Sequence, residues 1–332
     1  MEASDHPVFA EDADYDEVQE AILAYQIGDG LPVVPPTQQR MAQMLEGISN
    51  PTESFGPVPP LFGDLTPEAV AYQCVLAGCR REELPVVFSA IEACLEPSFN
   101  LLGILTTTGT VSVAVAIHGP LAQNLEVSGT TNCLGPGVRA NACIGRAVSM
   151  VLRNVGGARA GVGDMATMGQ PGKYTFCFAE DKDEIVPSLH RRRGFVANSS
   201  AVTVLGVSGT LEVLPSGDGD CPEAIFTPVA EAMRTAYRIS GAARKDAPGE
   251  QALLLPPELA RFVCARGWDV SRIQAYLFEH LSWTDQGEVR HAARAAEDIH
   301  IIVTGGPGVK MTYAPLWGGG TTLVTRPIHQ FS

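Results

Sequence analysis

Residues 129–147, GTTNCLGPGVRANACIGRA, set two cysteines and two arginines around a Gly-Pro-Gly turn that opens a helix-like segment. The first amides of a helix lack intrahelical partners and carry partial positive charge, and glycine lets a ligand approach the backbone closely. Gly135, Gly137 and Asn141 would then line an anion cradle, with Arg139 and Arg146 adding bidentate contacts to a carboxylate or phosphate. The plainer alternative is a tight connection whose arginines pair with local acids. Cys133 stands just before the helix start, where the helix dipole favours a thiolate, and is a candidate nucleophile. Cys143 falls among Ala140, Ile144, Ala147, Val148 and Val151, apolar at spacings of three and four, and reads as core.

Other chemistry-bearing residues lie further on. KYTFCFAE (173–180) places Lys173, Cys177 and Glu180 in one segment, a residue set similar to that of nitrilase-type amidases. An extended strand argues against that triad. Lys173 and Cys177 would share a face about 13 Å apart, at roughly 3.3 Å per residue, and Glu180 would point to the other. Cys177 stands as a second candidate nucleophile, with core cysteine as its alternative, and Lys173 as a substrate contact. EDKDEIVPSLHRRRG (180–194) sets an acidic run before a basic one, either a self-neutralising loop or a lid in which His190 serves as acid or base. His118 ends an apolar strand, where α/β sites tend to gather. TGGPGVK (304–310) also follows a strand, and its amides with Lys310 would hold a second anionic group. No phosphate-loop or dinucleotide fingerprint is present, and neither HExxH nor paired CxxC occurs, so no metal ligand set is evident. No cofactor is evident either. Glycine-rich 156–172 reads as a long ordered loop with Asp164 and Thr167 as its polar candidates.

The elements that must carry these residues follow from the pattern. At 332 residues, 45% hydrophobic and 18% charged, the chain is long enough for one large or two ordinary domains. A net charge of −14 disfavours nucleic acid and anionic lipid, so an anionic small molecule would need a locally positive pocket. No apolar run approaches the roughly 18 residues of a membrane span. Eight scattered cysteines and the absence of a leader-like start point to a reduced, cytoplasmic protein.

Residues 1–14 read as a loose tail. Up to residue 97 the chain is mainly helical; 98–332 reads as an α/β core with a mixed or parallel sheet and flanking helices. Two strands are expected within 100–120, a helix over 138–155, and strands at 173–180, 200–209, 299–306 and 321–328. Further helices are expected at 221–239, 256–266, 269–282 and 287–297. The turns AIHGPL, GVSGTL and VTGGPG hint at an internal duplication.

GDGLPVVPPT, GPGVRANACIGRA, NVGGARAGVGDMATMGQPGKYTFCFAE and IIVTGGPG…TRPI together resemble a bacterial family associated with, or fused to, small proteins carrying a UGSC motif, where U is selenocysteine or cysteine. The resemblance spans about 28 to 328. It implies an α/β protein, an enzyme or a partner of a thiol or selenol protein; the chain has no Gly-Ser-Cys of its own. The expectation is a small-molecule enzyme acting on a carboxylate-like substrate by cysteine-dependent lyase, hydrolase or transferase chemistry, with a non-catalytic redox-partner subunit as the alternative. Self-association is left open.

Overall fold

The computed structural model describes residues 6–183, 185–217, 219–240, 248–285 and 287–331. The N-terminal third carries α1 (Tyr15–Ala24), α2 (Gln38–Met44), a short hairpin of β1 (Pro57–Val58) and β2 (Gly63–Asp64), α3 (Pro67–Ala77), α4 (Leu84–Leu95) and α5 (Leu101–Thr106). Asp14, Thr37 and Thr66 cap α1, α2 and α3 through their side-chain oxygens, as short polar residues before a helix do. Next come β3 (Ser112–His118), α6 (Pro120–Asn124), α7 (Arg139–Asn154), β4 (Cys177–Ala179), α8 (Leu189–Arg192), β5 (Ala201–Val207) and β6 (Leu211–Val213). The last part holds α9 (Pro222–Ile239), β7 (Gln251–Leu255), α10 (Pro257–Cys264), α11 (Val270–His280), the hairpin β8 (Ser282–Asp285) and β9 (Glu288–His291), β10 (Ile299–Val303), β11 (Met311–Pro315) and β12 (Val324–Pro327).

Two four-stranded mixed sheets result, ordered β12-β5-β3-β4 and β10-β7-β11-β6. Their layouts match. In each, a central strand pairs in parallel with one neighbour (β3 with β4, β7 with β10) and antiparallel with the other (β5, β11). In each, the fourth strand comes from the other half: β6 follows β5 but pairs with β11, and β12 follows β11 but pairs with β5. The duplication hinted at by the glycine turns is therefore one of topology. The turns themselves do not correspond, since β3 matches β7, which exits through Pro256 and Pro257.

Strand alternation sorts the side chains into layers. Val113, Val115, Ile117, Val202 and Val204 pack with α3, α4 and α7. The alternate positions Ala114, Ala116, Phe178 and Leu205 meet Ala252, Leu254, Ile302 and Ala314 of the other sheet. Leu253, Leu255, Ile301 and Tyr313 pack with α9, α10 and α11. The architecture is α/β/β/α, and both faces of β3, β5, β7 and β10 are buried, which explains their largely apolar sequences. The first core runs across residue 97, because α4 packs on β5 and β12 and forms an outer layer of the first sheet.

Three local expectations change. Residues 101–106 are helix, not strand, because Asn100 in the left-handed region caps them by accepting from the Gly103 amide. Residues 287–297 hold strand β9 and a short 3-10 turn, because Gly287 at φ 88° turns the chain back and pairs Val289 with Thr284. Residues 6–14 are docked: Tyr72 donates its hydroxyl to the Pro7 carbonyl, and its ring lies tilted against His6 with centroids 4.8 Å apart. Residues 1–5 lie outside the described residues. Among the described residues no single helix is long and apolar enough to cross a membrane.

Arg139, Arg146 and Arg153 recur every seven residues as a stripe along α7, and the last two tie the extended GDGLP segment to the core. Arg146 donates Nε and Nη2 to the two Asp29 carboxylate oxygens at 2.7 and 2.8 Å and Nη2 to the carbonyls of Leu31 and Pro32. Arg153 donates Nε to the Gly28 carbonyl. Burial alone would raise the Asp29 pKa, but the hydrogen bonds and charge of Arg146 outweigh it and hold the carboxyl below its usual 3.8. A depressed carboxylate stabilises the fold above its unfolded pKa and loses that contribution as pH falls through the folded value. Asp29→Asn should therefore cost about 3 kcal/mol at pH 7. The gap to the parent in denaturant titrations should close as pH drops below 3.8.

Candidate functional site

His118 is the last residue of β3, and its position in the alternation turns it toward the layer between the sheets, in line with Ala114 and Ala116. Glu180 follows β4 directly and lies on that same face, two residues after Phe178. The parallel register places Ile117 beside Ala179, and the Glu180 amide donates to the Ile117 carbonyl at 3.1 Å. Alternation and register together bring the two side chains into contact. His118 Nδ1 lies 2.7 Å from Glu180 Oε2, with their side chains 0% and 3% exposed.

The surroundings fix both groups. The Leu189 amide, at the start of α8, donates to Glu180 Oε1 and Oε2 at 3.0 and 2.8 Å. His118 Nε2 lies 2.8 Å from Thr203 Oγ1, and Thr203 lies 2.8 Å from Thr325 on the exchanged strand β12. One proton assignment satisfies the whole row. Thr325 donates to Thr203, Thr203 donates to His118 Nε2, and His118 Nδ1–H donates to the carboxylate. The loop that carries Ser188 also brings His190, whose ring stacks on His118 with centroids 5.4 Å apart and whose Nδ1 lies 3.0 Å from Ser188 Oγ. One ligand atom from each of His118, Glu180 and His190 lies within 4.8 Å of the others. Glu180, Ser188 and His190 line a cleft of about 550 Å³ at the carboxyl ends of β3 and β4, walled by Gly119, Ser128 and Asn198.

Two of the four catalytic candidates thus meet, and the cysteines do not join them. Cys177 points to the opposite face of β4, into the core under α7, where burial pushes its thiol far above the ordinary range. Cys133 is buried beside Thr304, Sγ to Oγ1 3.6 Å; burial raises its thiol pKa against the opposing pull of that contact. It lines a separate cleft of about 410 Å³ between the 131–135 turn and the 304–312 loop, together with Gly135 and Lys310.

The anion cradle loses its arginines. Arg139 is spent on Glu83 and the Gly78 carbonyl, and Arg146 on Asp29. Asn141 is an internal clamp: its Oδ1 accepts from the Ser128 amide, and its Nδ2 donates to the carbonyls of Ser128, Cys133 and Cys177. Gly137 adopts φ 125°, a backbone conformation that favours glycine. Lys173 pairs with Asp164 at 2.5 Å, and Lys310 with Glu212 at the surface.

Sequence reasoning did not assign Glu180, Ser188, Thr203 or Thr325 to a site. The available signal was polarity out of place: Glu180 closes an apolar strand, and Thr203 is the one polar side chain inside β5.

Thr203→Val keeps the shape but strands His118 Nε2, and should lower the unfolding free energy by about 1–3 kcal/mol. Thr325→Val should cost less, and the double variant less than the sum, because both act on one hydrogen-bonded row. Denaturant titrations of the three variants check this. Separately, iodoacetamide at pH 8 should leave Cys133 and Cys177 intact in the native protein and modify both in guanidinium, as read by peptide mass mapping. No family model matches the chain and no curated protein does, so the functional reading rests on the geometry.

Proposed function

We propose that the protein is a small-molecule enzyme whose reaction centre is a divalent transition-metal ion held by His118, Glu180 and His190. One observation carries the reading: two imidazoles and a carboxylate converge, with ligand atoms within 4.8 Å of one another, at the inner end of a cleft large enough for a substrate. Two histidines and one carboxylate suit zinc, iron or manganese, and three protein ligands rather than four leave a coordination position for water or substrate. The bound ion would supply Lewis-acid polarisation and an activated water.

The chain's own residues do the positioning. Thr203 supports His118 from behind, so that Nδ1 can ligate while Nε2–H donates to the hydroxyl. Ser188 engages His190 through Nδ1, and the Leu189 amide holds the carboxylate. Two neutral imidazoles and one carboxylate leave a divalent ion with net positive charge, which keeps the expected carboxylate-like substrate chemically apt. Thiol chemistry loses its support, because Cys177 faces away and Cys133 lies in the other cleft.

Cobalt titration tests the proposal. Co²⁺ should bind one equivalent and produce visible d–d absorption, and His190→Ala or Glu180→Gln should abolish it. Thr203→Val should weaken binding about 10- to 100-fold while leaving the spectrum in place. Co²⁺ uptake that is equal in parent and His190→Ala protein would rule the centre out.

A further inference from the structure

A second cavity, of about 280 Å³, lies at the other end of β3, under α7 and the glycine-rich loop 156–172. It sits near the lower end of the roughly 300–1,000 Å³ usual for ligand pockets. Its lining is mainly apolar: Ile104, Leu105, Val111, Val113, Met150 and Leu152. Ser112 and His118 are six residues apart on one strand, which separates this cavity from the histidine cluster by about 20 Å at roughly 3.3 Å per residue.

Charge points to a ligand. Lys173 is matched by Asp164 and Arg146 by Asp29, but among the described residues no carboxylate lies within ion-pair distance of Arg153, which also lines the cavity. Arg153 spends only Nε, on the Gly28 carbonyl; Arg159 is near enough to repel it and Asp29 near enough to attract it. Asp29 and Asp164 are the two carboxylates of the lining, each already paired, with Arg146 and Lys173 respectively. In a chain of net charge −14, this is a locally positive spot. The covering loop is pinned by Gln170, which donates Nε2 to the carbonyls of Thr110 and Val207, while Met168 stands 87% exposed.

We propose that this cavity is a second ligand site, for a small carboxylic acid with an apolar body. The carboxylate pairs with Arg153, and the body lies on the wall formed by Ile104, Leu105, Val111, Val113 and Met150. The arginine stripe of α7 thereby acquires an anion role at its third member, away from the Gly-Pro-Gly turn. The site does not depend on the metal centre.

Calorimetric titration with octanoate tests this, with octylamine (same body, opposite charge) and acetate (same charge, no body) as comparisons. Octanoate should bind at one site per chain, at least tenfold more tightly than either. Arg153→Met should weaken it at least tenfold. Leu105→Phe, which narrows the cavity and leaves the cation in place, should weaken binding even if Arg153→Met fails to fold. His190→Ala should leave octanoate binding unchanged; loss of binding there would assign the acid to the cleft of the histidine cluster and overturn the proposal. Equal affinity for octylamine, several sites per chain, or octanoate binding unaltered by Leu105→Phe would each overturn it as well.

Discussion

Everything in this protein hangs on the exchange of one strand between two sheets. After β5 the chain leaves its own sheet and places β6 on the edge of the other; after β11 it returns and places β12 beside β5. At the crossing the Ser208 amide donates to the Pro315 carbonyl and the Trp317 amide to the Gly206 carbonyl, 2.8 and 2.9 Å. Neither sheet is complete without a segment from the other half. Small residues on the facing surfaces, Ala114, Ala116, Ala252 and Ala314, let the sheets close on one another. The exchange also reaches the candidate site directly, since Thr325 of the returning strand ends the hydrogen-bonded row that holds Thr203 against His118.

The pseudo-symmetry makes the placement of chemistry informative. Ile117 pairs with Ala179 in one sheet and Leu255 with Val303 in the other. His118 and Glu180 therefore correspond to Pro256 and Thr304. Both ends open into clefts, and the two clefts share a wall, the 127–135 segment. That wall is held tightly: the Gly305 amide donates to the Gly129 carbonyl, and a Cβ at Gly129 would meet the Ala179 carbonyl. Histidine and glutamate occupy one of two equivalent positions, while the other carries proline and a threonine hydroxyl engaged with the Gly129 and Ala179 carbonyls.

Much of the fold was legible in the sequence, and the site only in part. The seven-residue arginine repeat and the apolar face of α7 follow from local periodicity, as do the β-branched runs of β3, β5 and β10. His118 and His190 stand out by their place at a strand end and in a charged loop. Their convergence with Glu180, Thr203 and Thr325 spans 62, 85 and 122 residues at successive contacts. It depends on strand register, to which local pattern is blind. The same holds for the arginines: whether Arg139 meets a ligand or Glu83 is decided by where α4 packs, not by the turn that precedes α7. Segments 101–106 and 287–297 misled for a local reason. Asn100 and Gly287 adopt left-handed backbone conformations that reset the chain where residue composition suggested otherwise.

The central claim is that His118, Glu180 and His190 form a metal centre. The most direct measurement is an anomalous difference map from crystals grown with Co²⁺, with data collected on both sides of the cobalt absorption edge. The account predicts one strong peak about 2.1 Å from a nitrogen of each histidine and an oxygen of Glu180. An ordered structure at high cobalt occupancy elsewhere, with His118 still bonded to Glu180 and no peak between them and His190, would contradict it.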